Sequence, residues 1–365
     1  MFFLGVGVAI VGATARAVGL APSQIGYLIA AQNIGFGIAV VAGGTLSDLY
    51  RKPVILTVGL VMLGLAFGLL YRSSVFAVNL GIMALMGLGM GSAEAVTDAW
   101  LLEMHTRGES RLVTINHFFV SLGSVISTLY LMALELNWQR SLAQVALTLG
   151  ALAVLVAFLR PAGHPAGSGG RGRFRELTAD PGILMLFLAG MGAIGIGIGS
   201  SGVITTFAAE LRGMTDARAQ VMLALFLVGL AAGRIIVGAL DRGRRPGRIA
   251  LGAAFGALIV SVLLYLLPLP LWTLYPLGLI LGLTVAPLLP LTIALAGLRY
   301  RHAAGTAMGI VKLAIPTGGI VIPGLLGLIA DSVSFTASLY LFPASALLVI
   351  VSTLAAERIP AKGTA

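Results

Sequence analysis

The chain has 365 residues, 58% of them hydrophobic and 10% charged, with a formal net charge of +10 and no cysteine. A soluble globular domain carries about 25% charged residues, so a surface facing water on all sides is excluded and a polytopic membrane protein remains. Disulfides and cysteine-ligated metals are excluded as well, and the positive charge lies in short loops between apolar runs, which argues against a nucleic-acid-binding patch.

The first run, MFFLGVGVAIVGATA, lacks the basic region of a signal peptide, so it is expected to be a first spanning helix. Runs of about 20 apolar residues then recur along the chain. The spans are predicted at 2–18, 24–47, 53–71, 75–101, 112–134, 139–159, 182–208, 217–239, 247–267, 270–297, 304–329 and 333–355. The one long polar gap, RPAGHPAGSGGRGRFRELTAD, is rich in Gly, Pro and Arg and reads as a linker. The predicted fold is an all-α membrane protein of twelve transmembrane helices in two pseudo-symmetric six-helix bundles. The bundles are residues 1–160 and 181–365, joined by a linker at 161–180.

Of the 23 Lys and Arg residues, sixteen fall in loops on one side of this topology, five (Arg16, Arg72, Arg140, Arg212, Arg218) on the other, and two, Arg234 and Lys312, within spans. The richer side is cytoplasmic. Both termini and the linker then lie inside, and the anionic inner leaflet accounts for the basic excess. The halves also repeat. Pro22-Ser23 opens span 2, which ends in GGTLSDLYRKP; Thr215-Asp216 opens span 8, which ends in GALDRGRRPGR. Internal repeats of this kind mark rocking transporters.

The stretch after span 2, with Gly44, Asp48, Arg51 and Lys52, resembles the signature of the major facilitator superfamily. A degenerate copy with Asp241 and Arg242 follows span 8. The resemblance implies that this loop contacts neighbouring helix ends and holds the outward-facing state. Asp48 is expected to cap or pair at a crowded helix junction, with Arg107 and Arg111 within reach. Three further stretches resemble the fucose-permease-like sugar symporters: GLGMGSAEAVTDAW (87–100), INHFFVSLGSV (115–125), and the set at 226–243, 281–297 and 319–332. In the first, Glu94 matches that branch's acid and Asp98 stands where the branch has Asn. In the second, His117 matches. The end of span 5, GSVIST, lacks the Gly-Pro pair of the drug-proton antiporters.

Ionised side chains at mid-bilayer cost about 2.5–3.5 kcal/mol on insertion scales, so they face a cavity or a partner. Glu94 and Asp98 share one face of span 4, and their mutual repulsion and burial favour a bound proton. Asp98 has loop cations as alternative partners. Lys312, nine residues into span 11, either neutralises Glu94 or faces an anionic solute. Arg234 on span 8, Asn116 and His117 on span 5 and Asn33 on span 2 complete the candidate set, with Gln32 and Asn33 also suited to bridging helices. Glu210, Arg212 and Asp216 are expected to form a solvated rim. Pro287, Pro290, Pro316 and Pro323 are candidate helix breaks.

The four histidines show no metal spacing, and no nucleophile-base pair or phosphate loop occurs, so neither an enzyme nor a cofactor is expected. The reading is a proton-coupled secondary transporter, with sodium as the alternative ion. It works by alternating access as a monomer in the plasma (inner) membrane and takes up a small polar solute of sugar, sugar-acid or organic-acid type. The competing reading is a proton-coupled exporter of drugs or metabolites.

Overall fold

The computed structural model describes residues 1–18, 22–104, 109–133, 137–158, 170–240 and 246–359. Among them every regular element is helical. The first half contains α1 (Phe2–Val18), α2 (Pro22–Ser47), α3 (Lys52–Leu69), α4 (Phe76–Met104), α5 (Glu109–Ala133) and α6 (Trp138–Ala157). A nine-residue helix, α7 (Gly170–Thr178), occupies the end of the stretch read as a bare linker. The second half contains α8 (Pro181–Thr206), α9 (Asp216–Leu240), α10 (Pro246–Ser261), α11 (Leu271–Val285), α12 (Leu288–Arg299), α13 (Ala304–Lys312), α14 (Ala314–Ser332), α15 (Phe335–Ser338) and α16 (Leu341–Arg358).

Ten helical segments among the described residues are long and apolar enough to cross a membrane. Within α1 the stretch Phe2–Val11 is a shorter apolar segment. Large apolar side chains point outward along these helices, including Leu147, Phe158 and Trp272. Water would penalise that surface and lipid favours it, so the protein is a multi-pass membrane protein.

Two predicted spans are broken. Span 10 consists of α11 and α12, interrupted at Ala286–Pro287 beside the expected prolines. Span 11 consists of α13 and α14, interrupted at Leu313. Pro316 has no N–H for the Lys312 carbonyl four residues back, so the expected break falls there and Pro316 sits in the first turn of α14, while Pro323 is carried inside α14 without a break. Two further spans end in π-helical turns that the sequence did not announce, Phe207–Leu211 after α8 and Val262–Leu266 after α10.

Backbone contacts divide the chain into two units. One comprises Met1–Met104, Asn116–Leu177 and Tyr300–Leu313; the other comprises His105–Ile115, Thr178–Arg299 and Ala314–Ala365. In the first, α2 packs on α4 through glycine. A Cβ on Gly35 would lie 2.1 Å from the Ala84 carbonyl oxygen, and one on Gly87 would lie 2.0 Å from that of Gln32. In the second, α9 packs on α11 in the same way. A Cβ on Gly229 would lie 2.1 Å from the Leu279 oxygen, and one on Gly282 would lie 2.1 Å from that of Phe226. In lipid, helices associate by close packing of small residues, and the α2–α4 and α9–α11 pairs use the same device.

The second unit holds an aromatic core. Tyr265 stacks on Phe342 with centroids 4.5 Å apart and meets Phe207 edge-on at 5.1 Å. Arg212, expected in a solvated rim, instead lies over the Phe207 ring and donates to the carbonyls of Leu264 and Leu267. It staples one π turn to the other, because a π turn leaves carbonyls that a guanidinium fork can satisfy.

Candidate functional site

Three elements of the first unit bring charge into its core. Helix α4 presents Glu94 and Asp98 four residues apart on one face. Helix α5 presents Asn116 and His117, and α13 ends on Lys312. The short helix α13, AGTAMGIVK, is buried along its whole length. Its small residues let it lie against α2. A Cβ on Gly44 would sit 2.3 Å from the Gly305 oxygen, and one on Gly309 would sit 2.6 Å from that of Val40. Such contact leaves Lys312 no path for its stem to reach an interface. Lys312 and Asp98 are 0% exposed, Glu94 5% and His117 6%.

The polar contacts converge. Lys312 Nζ lies 2.7 Å from Asp98 Oδ2 and 3.2 Å from Glu94 Oε1, and it donates to the Glu94 carbonyl oxygen at 3.1 Å. An ammonium has three protons, and three oxygens surround this one. Asp98 Oδ2 also lies 3.0 Å from His117 Nε2, while Asp98 Oδ1 accepts from Asn116 Nδ2 at 2.7 Å. Glu94 Oε1 is 4.0 Å from the same imidazole nitrogen and is ion-paired with Lys312. Asp98 is therefore held on both oxygens by three side chains, and Glu94 is held through charge.

The geometry revises several expectations. The cation of Asp98 is Lys312, not an arginine of a cytoplasmic loop. Lys312 contacts both acids and is most closely paired with Asp98, the residue that stands at the branch's Asn position. Since its oxygen partners already surround it, an anionic solute would have to displace a carboxylate to reach it. Gln32, not Asn33, bridges helices, donating from Nε2 to the Gly7 carbonyl oxygen at 2.8 Å. Asn33 and Arg234 are half-buried on α2 and α9. Glu94, Asp98 and His117 also form a possible metal-donor set, their ligand atoms lying within 4.8 Å of one another. Histidine spacing along the chain could not reveal it, because the donors come from two helices.

A second polar junction lies at the end of α2. Asp48 accepts from the backbone N–H of Gly305 (3.0 Å) and Thr306 (2.8 Å) and from the Thr306 hydroxyl (2.6 Å). It thus caps the N-terminus of α13, satisfying amides that have no intrahelical partner. Burial pushes the Asp48 carboxyl above its ordinary range, and the Thr306 and Gly305 hydrogen bonds with the Lys52 charge pull against it. A capped helix junction was expected, and its hydrogen-bond partners among the described residues are Gly305 and Thr306. Arg107, Asp241 and Arg242 lie outside the described residues. Arg51 is exposed, and Lys52 pairs with Glu103 at 2.6 Å while donating to the Ser47 carbonyl oxygen at 2.9 Å. Thr306 and Glu103 were missed from sequence. The only signal for Thr306 was a hydroxyl residue near a helix start after a polar loop.

The family model of the Major Facilitator Superfamily matches residues 1–215 and 192–364. The chain belongs to the Major Facilitator Superfamily. Members of this superfamily are transporters. No curated protein sequence matches the chain. Among solved structures, the E. coli fucose:proton symporter is similar with a TM-score of 0.81 at 15% identity, covering 97% of this chain and 96% of that one. A proton:xylose symporter bound to 6-bromo-6-deoxy-D-glucose gives 0.73 at 14% identity, covering 98% and 93%. A bacterial homologue of the iron transporter ferroportin gives 0.75 at 13% identity, covering 98% and 97%. At such identities the likeness is one of fold, and it spans nearly the whole of each chain compared.

Proposed function

We propose that this protein is a secondary active transporter that couples proton movement to uptake of a small polar solute, of which a neutral sugar is the best fit. In this reading it has twelve spans in two six-helix bundles, residues 1–160 and 181–365, with 161–180 as the link. It works by alternating access as a monomer in the plasma membrane, with both termini cytoplasmic by the positive-inside rule.

The observation that carries the reading is the buried cluster of Glu94, Asp98, Asn116, His117 and Lys312. Charge at this depth is costly and marks ion and substrate pathways in membrane proteins. Within it the two acids differ. Asp98 is held on both oxygens by Lys312, His117 and Asn116, and Glu94, with the Lys312 ammonium at 3.2 Å and the imidazole at 4.0 Å, is assigned the proton-carrying role. Protonation removes one charge from a buried site and lowers the cost of closing it to water. The neighbours named as fucose:proton and proton:xylose symporters support the sugar class. A sugar-acid or organic-acid solute is disfavoured because the Lys312 ammonium is already surrounded by oxygens of this chain.

The test is transport in proteoliposomes with a panel of radiolabelled neutral sugars and sugar acids. Glu94→Gln is expected to abolish accumulation driven by an inward proton gradient and to leave solute exchange between equal internal and external pools. Unchanged gradient-driven accumulation in that variant would overturn the assignment. Gradient-driven efflux without uptake would identify an exporter.

A further inference from the structure

Two carboxylates and an imidazole gathered within 4.8 Å form a donor set suited to an inorganic cation. In this chain a cation already stands among them. The Lys312 ammonium is 2.7 Å from Asp98 Oδ2 and 3.2 Å from Glu94 Oε1, with the imidazole Nε2 of His117 3.0 Å from that same Asp98 oxygen. A metal ion bound by these oxygens would need them at roughly 2.0–2.6 Å. It would then share its ligands with an ammonium a few ångströms away, and two cations so close in a poorly screened interior repel strongly.

We infer that Lys312 is a tethered cation: it fills the place that a sodium or divalent ion would take between Glu94 and Asp98, it restricts the coupling ion to a proton, and without it the site takes up a cation from solution. This rests on the proton-coupled reading above and names the ion selectivity of the same site.

The way Lys312 is held supports the assignment. It ends a helix that is buried throughout and packed backbone-to-backbone on α2. The ammonium cannot leave with a transported solute, as a bound sodium ion does. One of its three oxygen contacts is the main-chain carbonyl of Glu94, at 3.1 Å. That oxygen does not titrate, and the closest contact is to Asp98. Two of the three contacts, to Asp98 Oδ2 and to the Glu94 carbonyl, are therefore independent of the Glu94 carboxylate. Asn116 completes Asp98 from the other side, donating to Oδ1 at 2.7 Å, so the donor set persists when the lysine is replaced by a neutral residue.

The test reads binding, not transport. Purified wild-type protein, Lys312→Ala and Lys312→Met are unfolded thermally in detergent. The salts are sodium chloride against choline chloride at equal ionic strength, and manganese chloride up to millimolar concentrations. Wild-type Tm is expected to be indifferent to the choice of cation. The lysine variants are expected to gain a saturable rise with sodium or manganese of about 3–4 °C at a hundredfold excess over Kd, lost again in Lys312→Ala/Asp98→Asn. Saturable stabilisation of the wild type by either ion would overturn the inference, as would a folded lysine variant that responds to neither. Lys312→Met keeps the volume of the stem, and Lys312→Arg keeps a tethered charge and should behave as wild type. If the alanine variant does not fold, these two carry the same decision. A cation response in the variants with no proton-driven uptake in the wild type would sustain this inference and sink the transport reading. The converse pattern would do the opposite.

Discussion

Removing the Lys312 charge tests the energetics of the cluster most directly. Asp98 and Lys312 are both 0% exposed and 2.7 Å apart. Breaking a buried pair by removing one partner strands the other charge and costs about 3–5 kcal/mol. With an unfolding entropy of about 2.1 cal/mol/K per residue, a chain of 365 residues loses about 4–7 °C of Tm. Lys312→Met leaves two carboxylates facing each other, and Asp98→Asn leaves the ammonium with Glu94 alone, so both single variants should fall in that range. The double variant Lys312→Met/Asp98→Asn removes both charges, and its loss should be well below the sum of the two. The assay is a thermal double-mutant cycle in one detergent at low cation concentration. Additivity within about 0.5 kcal/mol would refute the pairing and with it the account of why a lysine lies in this core.

Two further predictions address the helix contacts. Gly87→Ala and Gly282→Ala each place a Cβ 2.0–2.1 Å from a backbone oxygen of the facing helix, whereas Gly81 and Gly252 have nothing within 4 Å. The first two should cost several kcal/mol or prevent folding, and alanine at the second two should leave Tm unchanged or slightly raised; equal effects would show that the close crossings are not required. At the α2–α13 junction, Thr306→Val should cost about 1.5–3 kcal/mol because it removes a hydrogen bond to a carboxylate. In the Asp48→Ala background the same change should cost little, and an undiminished loss there would show that Thr306 does not act through Asp48.

Most spans were legible because the bilayer imposes a length and a composition that any apolar run must meet, and charge asymmetry of the loops is written directly in the chain. Glu94 and Asp98 were legible as a pair because helical spacing puts residues four apart on one face. Helix breaks were legible only where proline caused them. The break at Leu313 follows from Pro316, which has no N–H for the Lys312 carbonyl four residues back, whereas the two π turns, bridged by Arg212, have no local signature. The helical end of the linker, Gly170–Thr178, was hidden by its glycine and arginine content.

By itself the sequence determined that this is a helical membrane protein and that acids and a lysine are buried in it, because those facts follow from hydropathy and from spacing along one helix. Only the tertiary structure decided who pairs with whom. Lys312 lies 218 residues from Glu94 in the chain, and nothing local distinguishes a lysine awaiting a solute from one already neutralised. The packing of α13 against α2, made possible by Gly44, Gly305 and Gly309, carries Lys312 to Asp98 and turns two acids on a helix face into a site with its own built-in cation.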